Sequence, residues 1–341
     1  MLRTADLTRR QLIGAGALGA AAAYGGGWAD TLSAALAASP GGSKLEDIEH
    51  VVFLIQENRS FDHYFGSYRG VRGFGDRSPG GPFAQPGYPA AGFGGQLLPF
   101  HIDTSMGKGQ CVPDPDHSWP TQHRSWNAGK LDSFVSAHLK SDGDAVAPIT
   151  MGYYERGDLP FYYALADAFT LCDNYFSSVI GPSYPNQSYI ISAWIDPDGK
   201  KGGPLLLDAS PRQFSWTTMP EQLETKGISW KAYTTPDEVA PGQVGDPVFP
   251  YFDQYYANPA LGQKALVPQY PSDFLSDCAS GALPQVSWVY TSIAFSEHPP
   301  GPVEYGEATT QQVLNALVAN PKLWAKTALF ITWDENGGFF D

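Results

Sequence analysis

Cysteine is scarce in this 341-residue chain: Cys111, Cys172 and Cys278 are all there are, and no two of them form a C-x-x-C pair. That excludes a thiolate zinc site and a mini-protein held by disulfides; three cysteines allow one bridge with one thiol left over, the pairing open. Positive charge is also short. Lys+Arg 21 against Asp+Glu 35 leaves a formal net charge of −14, the wrong sign for a protein that holds nucleic acid by neutralising phosphates, so no nucleic-acid partner is expected. Charged residues make up 16% and apolar residues 43%, which provides a core and lacks the charge density of a disordered chain. Missing as well is an unbroken apolar run of about 20 residues, the length a membrane span requires. Abundant instead are glycine (37), proline (29) and aromatics (13%), which predict many turns and long irregular connections pinned by rings.

The first forty residues are a region apart. Thr8-Arg9-Arg10-Gln11-Leu12-Ile13 leads into a Gly/Ala/Leu stretch over residues 14–24, and Ala35-Leu36-Ala37 offers small residues for a signal peptidase. Residues 1–37 read as a twin-arginine export signal, the arginine pair being the part the export machinery recognises. The modest hydrophobicity suits a route that carries folded proteins, often with a cofactor inside. A membrane anchor is disfavoured, because the apolar run is short and diluted by glycine. The expected location is therefore outside the cytoplasm: secreted, periplasmic or attached to the cell envelope. Loss of residues 1–37 moves the net charge to about −15. Residues 43–341 are expected to form one catalytic domain.

Along that domain, residues 48–55 (I-E-H-V-V-F-L-I) read as a buried strand ending at Gln56-Glu57-Asn58, with a helix beginning near Arg59-Ser60-Phe61-Asp62. Residues 66–100, rich in glycine and proline, predict a long ordered excursion over the surface. A helix is expected at 159–169, a strand at 170–179, and a tight turn at 180–186 ahead of a helix at 187–194. Further on, helices are expected at 217–226 and 311–320, and strands at 229–233, 286–290 and 326–333 (K-T-A-L-F-I-T-W). The last strand runs into Asp334-Glu335-Asn336-Gly337-Gly338. Helices alternating with apolar strands favour a mostly parallel α/β sheet.

Ligands of open parallel sheets bind beyond the carboxyl ends of the strands. Glu57-Asn58 follows the first strand and Asp334-Glu335 the last, so oxygen ligands distant in sequence meet at one edge, a donor set that suits a hard divalent cation. Either cluster taken alone is as well explained as a helix cap or a solvated strand end. Ser183, in Gly181-Pro182-Ser183-Tyr184-Pro185-Asn186, stands where a hydroxyl would project from a helix N-terminus, a place that favours phosphate; blandly read, it is an N-cap. Serine beside a cation can attack phosphorus without a histidine base. His117 and His123, in the stretch from Asp116 to His123, and His298, in Glu297-His298-Pro299-Pro300, suit proton donors or phosphate clamps, while His50 and His138 read as structural or exposed.

Five motifs in order carry a resemblance. They are the run from His50 to Gly66, Trp126-Asn127-Ala128-Gly129-Lys130-Leu131-Asp132 with the histidine-rich stretch before it, the Ser183 turn, Glu297-His298-Pro299-Pro300, and Thr332-Trp333-Asp334-Glu335-Asn336-Gly337-Gly338. The chain resembles the bacterial phosphoesterase family of non-zinc phospholipases C and a related acid phosphatase, a branch of the alkaline-phosphatase-like superfamily. The resemblance implies a three-layer α/β/α sandwich and one divalent metal ion held by Glu57, Asn58, Asp334 and Glu335. It implies Ser183 as nucleophile, His298, His117 and His123 as proton carriers or phosphate clamps in that order, and Asn186 and Glu297 as substrate-binding residues. Where many phospholipase C members carry threonine at the nucleophile, this chain has serine. It also stops at Phe339-Phe340-Asp341, inside a motif that runs on in relatives, so the C-terminal part of the domain is expected to be missing.

The leading expectation is an exported phospholipase C acting on phosphatidylcholine-type lipids, with transient contact at a membrane surface. A broad acid phosphatase using the same residues is the alternative, and an inactive lipid-binding fragment is a third. Net charge near −15 favours a zwitterionic or small soluble ester over an anionic membrane.

Overall fold

The computed structural model describes residues 27–39, 44–75, 77, 79–88, 95–105, 107, 109–207, 209–236 and 247–341. Its centre is a four-stranded sheet made of β1 (His50–Gln56), β2 (Trp230–Thr234), β3 (Val286–Tyr290) and β4 (Thr327–Trp333). The order is β2-β3-β1-β4 and every pairing is parallel, with Val51 opposite Val286 and Ala328, and Ile55 opposite Tyr290 and Thr332. All four strands therefore end on the same side.

Period-2 alternation sends side chains of each strand to two separate cores. Val52, Leu54, Val289 and Tyr233 pack on one face against α5 (Pro160–Ala168) and α9 (Val303–Val318); Ile55, Trp230, Ala232, Trp288 and Tyr290 pack on the other with Ile191 of α6 (Ser183–Ser192) and the rings of Phe249 and Phe252. Burial on both faces is the usual condition of a parallel sheet. The fold is thus the expected layered α/β/α sandwich. Phe330 of β4 is 51% exposed, and among the described residues β4 pairs with β1 alone. A cavity of about 960 Å³ follows that free edge, lined by Phe169, Leu171, Leu329 and Ile331.

Local departures have local reasons. Residues 170–179 form no strand; Asp173-Asn174 make a turn there, and Tyr175 and Phe176 lie exposed. α6 starts at Ser183, four residues before the expected helix, because Pro185 falls in its first turn, where the missing N–H would be unpaired anyway. α9 likewise begins at Val303 and runs 16 residues. All three cysteines are free, Cys111 and Cys172 exposed and Cys278 buried in the core, so no bridge forms. The paired arginines and residues 14–24 lie outside the described residues. Ala35-Leu36-Ala37 lies within α1 (Gly27–Ala38), whose Trp28, Leu32 and Ala35 are buried, and the Ala35 carbonyl accepts from Trp324 Nε1 at 2.8 Å.

Candidate active site

The carboxyl ends of β1 and β4 lie side by side, and their loops are stitched at once: Asp334 N–H donates to the Gln56 carbonyl at 3.0 Å, and Asn58 N–H to Asp334 Oδ1 at 3.2 Å. Asn58 has φ 56°, in the left-handed region that asparagine tolerates. Gly337, at φ 61°, has no alternative, since a Cβ there would stand 2.2 Å from the Asn58 carbonyl oxygen. Glu57, Asn58, Asp334 and Glu335 are all buried.

Ser183 is the first residue of α6, so its hydroxyl lies at the helix N-terminus. It donates to Asn58 Oδ1 at 3.2 Å. Asn58 Nδ2 is 3.2 Å from His117 Nε2, which stands 4.0 Å from Glu335 Oε1. His117 Nδ1 faces the Pro115 carbonyl at 2.9 Å, and His298 Nδ1 faces Pro299 O at 2.6 Å. With each Nδ1–H donating to a carbonyl, Nε2 is the nitrogen left for other partners. The two rings lie edge to face at 6.1 Å. Thus Ser183, Asn58, Asp334, Glu335, His117 and His298 converge from five distant segments.

The charge of this place is unbalanced. Burial pushes the Glu335 carboxyl up to about 8 against the pull of His117, with the nearby Asp334 carboxyl adding to the rise. Burial also raises Asp334, against hydrogen bonds from Gln187, the Asn58 N–H and Ser183. Burial opposes a charge on His117 too, yet Glu335, Asp114 and the Pro115 carbonyl together lift it to about 9. Glu335 Oε1 is buried with no hydrogen-bond partner. Such an orphan acceptor among carboxylates fits a hard cation, which Glu57, Asn58, Asp334 and Glu335 would hold through oxygen. Asp114, His117 and His298 also offer one donor atom each, all within 4.8 Å of one another.

Three expected site residues are engaged with other partners in the structure. His123, on α3 (Trp119–Trp126), bonds the Trp119 carbonyl at 2.8 Å and stacks on the Trp119 ring, lining a surface hollow with Arg124 and Lys140. Its neighbour Gln122 faces the site, and successive helical residues point about 100° apart, so His123 cannot. Glu297 is fully buried, at φ 74°: Trp333 Nε1 donates to its Oε2 at 2.7 Å, the Tyr162 hydroxyl to its Oε1, and burial pushes it up to about 7. These bonds tie the His298 loop to α5 and β4. Asn186 is spent on the turn before Ser183, accepting from Val179 N–H and donating to the Gly181 and Pro182 carbonyls at 2.9 and 3.1 Å.

Sequence reasoning missed the amides that hold this arrangement. Gln122 Nε2 lies 2.9 Å from the His117 carbonyl, 3.0 Å from that of Gly181 and 2.9 Å from Glu335 Oε2, and so ties three motifs together. Gln187 Nε2 donates to Asp334 Oδ2 at 3.2 Å. Its place four residues after Ser183, on the same helix face, was the available signal. Arg59 donates to the Glu297 carbonyl at 2.8 Å and the Gly301 carbonyl at 3.2 Å, and so straps the His298 loop to the end of β1.

A sequence model of the Phosphoesterase family matches residues 48–341. The chain is 44% identical over 355 residues to phospholipase C B of Mycobacterium tuberculosis, covering 98% of this chain and 67% of that protein. It is 42% identical over 328 residues to the non-hemolytic phospholipase C of Burkholderia pseudomallei, covering 87% and 45%. Non-specific phospholipase C4 of Arabidopsis thaliana is 27% identical over 326 residues, covering 88% and 56%. The chain thus spans about two thirds of the mycobacterial relative and under half of the Burkholderia one.

Proposed function

The chain belongs to the Phosphoesterase family, whose chemistry is hydrolysis of phosphoester bonds, and from that premise we propose an exported, metal-dependent phospholipase C with Ser183 as nucleophile. The observation that carries this reading is the Ser183 hydroxyl at the start of α6, bonded to Asn58, which is itself tied to Asp334, beside the orphan oxygen of Glu335.

A divalent cation held by Glu57, Asn58, Asp334 and Glu335 supplies the positive charge that makes a serine hydroxyl nucleophilic near neutral pH and neutralises phosphoryl oxygens. Ser183 Oγ gives up its proton to solvent and attacks phosphorus as the diacylglycerol oxygen departs, and charge developing on the phosphoryl group meets the unpaired N–H groups of the first turn of α6. The leaving diacylglycerol oxygen takes a proton from His298 Nε2, while His117 Nε2 holds a phosphoryl oxygen. Water then cleaves the phosphoseryl bond and frees the phosphorylated headgroup. His123 has no part in this scheme, and Asn186 and Glu297 act by holding the loops.

The test is hydrolysis of p-nitrophenylphosphorylcholine beside p-nitrophenyl phosphate, with metal analysis on the same sample. We expect the diester to be preferred, and chelation or Ser183→Ala to abolish turnover. Preference for the monoester would make the protein an acid phosphatase, and undiminished turnover by Ser183→Ala would remove the site from the reaction. Export through the twin-arginine route is supported by Arg9-Arg10. Replacing that pair with two lysines is expected to leave the protein in the cytoplasm. No helix of the described residues is long and apolar enough to cross a membrane.

A further inference from the structure

Asp114 belongs to none of the roles above, yet its carboxylate stands among the groups that would face substrate. Its segment is fixed over the start of α9, where Val303 N–H donates to the Gln110 carbonyl and Glu304 N–H to Gln110 Oε1, each at 3.1 Å. The side chain is 36% exposed, and its one ion-pair partner among the described residues is His117, at 3.6 Å from Nδ1. That nitrogen is already given to the Pro115 carbonyl, so the carboxylate is left without a hydrogen bond from it. The neighbouring acids are spent: Asp116 accepts from Ser118 N–H and Thr121 Oγ1, and Asp142 from His138, Ser141 and the Asp116 N–H. Arg59, the nearest guanidinium in the electrostatics of Asp114, is committed to two carbonyls.

Under the proposed reaction, which this inference rests on, the Nε2 atoms of His117 and His298 face the phosphoryl group. A spare carboxylate within 4.8 Å of donor atoms on both rings repels phosphate, and repels a dianionic monoester more than a monoanionic diester. The repulsion becomes attraction if the substrate carries a cation next to its phosphate. In an aminoalcohol phosphodiester the ammonium nitrogen is only two carbons beyond the phosphate oxygen, so a phosphate held by the two rings keeps its ammonium in the neighbourhood of Asp114. We propose that Asp114 is the headgroup-recognition residue, pairing with the ammonium of a choline- or ethanolamine-type phosphodiester and thereby selecting zwitterionic lipids over anionic ones and over simple monoesters.

The first readout is equilibrium binding by titration calorimetry, with phosphocholine and inorganic phosphate as probes, on the wild-type protein and Asp114→Asn. Phosphocholine is expected to bind at least tenfold more tightly than phosphate to the wild type, and Asp114→Asn to erase most of that ratio. The second is kinetic: the kcat/KM ratio of p-nitrophenylphosphorylcholine to ethyl p-nitrophenyl phosphate should fall at least tenfold in Asp114→Asn, chiefly through KM. An unchanged ratio in both readouts overturns the proposal. So does loss of bound metal from Asp114→Asn, which would make Asp114, His117 and His298 a cation site. Failure of the phospholipase reading shows differently, as hydrolysis of the ethyl diester that survives Ser183→Ala.

Discussion

Glu297 and Glu335 are two carboxylates buried within one region of the molecule, and they are satisfied in opposite ways. Both oxygens of Glu297 are taken, one by Tyr162 and the other by Trp333. Glu335 has one oxygen held by Gln122 and the Gly337 N–H at 2.9 and 2.8 Å, and the other without a hydrogen bond, with only the His117 ring 4.0 Å away. A buried polar group without a partner costs the fold its desolvation, whereas a closed network repays it. Under the proposed reaction the closed carboxylate serves the structure and the open one the cation.

The contrast can be broken experimentally, most severely at the group the open carboxylate serves. Ser183→Ala is expected to lower kcat on a phosphodiester by roughly a thousandfold or more, with thermal unfolding unchanged, because the lost hydroxyl is chemical and not structural. The two carboxylates should then exchange signatures. Glu297→Ala leaves the Trp333 N–H and the Tyr162 hydroxyl buried and unpaired, at about 1–3 kcal/mol each, so its melting temperature should drop while bound metal persists. Glu335→Gln should instead lose metal on dialysis and keep its melting temperature in chelator. Gln122→Leu sharpens the comparison further: removing the amide that orients Glu335 should weaken metal binding by about 10–100-fold, read by competition with a chelating dye.

The smallest effect concerns a third buried acid away from the chemistry. Asp62 has an unpartnered Oδ1, and burial, with Asp341 adding and Arg72 opposing, pushes it up to about 8. Its folded form holds a proton that the unfolded chain gives up near 4, so its contribution to stability is largest at low pH and is lost as pH rises toward 8. Asp62→Asn should flatten that slope in urea titrations at pH 5 and pH 8; an unchanged slope would place the proton elsewhere.

The strands could be read from the chain because their information is local. Apolar β-branched runs such as those of β1 and β4 bury both faces wherever they pair, and acids at their ends must then share an edge once the strands are parallel. Ser183 was legible for a similar reason, as a hydroxyl in a proline-framed turn ahead of a helix. Residues 170–179 misled because apolar content alone does not make a strand without a neighbour to pair with. His123 stands apart from His117 because helical phase, and not proximity in sequence, decides where a side chain points.

Composition, the four sheet strands, the serine turn and the two acidic strand ends were legible in the sequence itself, since each depends on residues close together in the chain. The tertiary structure alone decided which carboxylate is closed and which is open, that Gln122 joins three motifs, that Asn186 braces a turn, and that Asp114 stands beside two imidazoles. Hydrogen-bond partners and burial are set by segments scores to hundreds of residues apart, and no local pattern encodes who will meet whom in the desolvated interior.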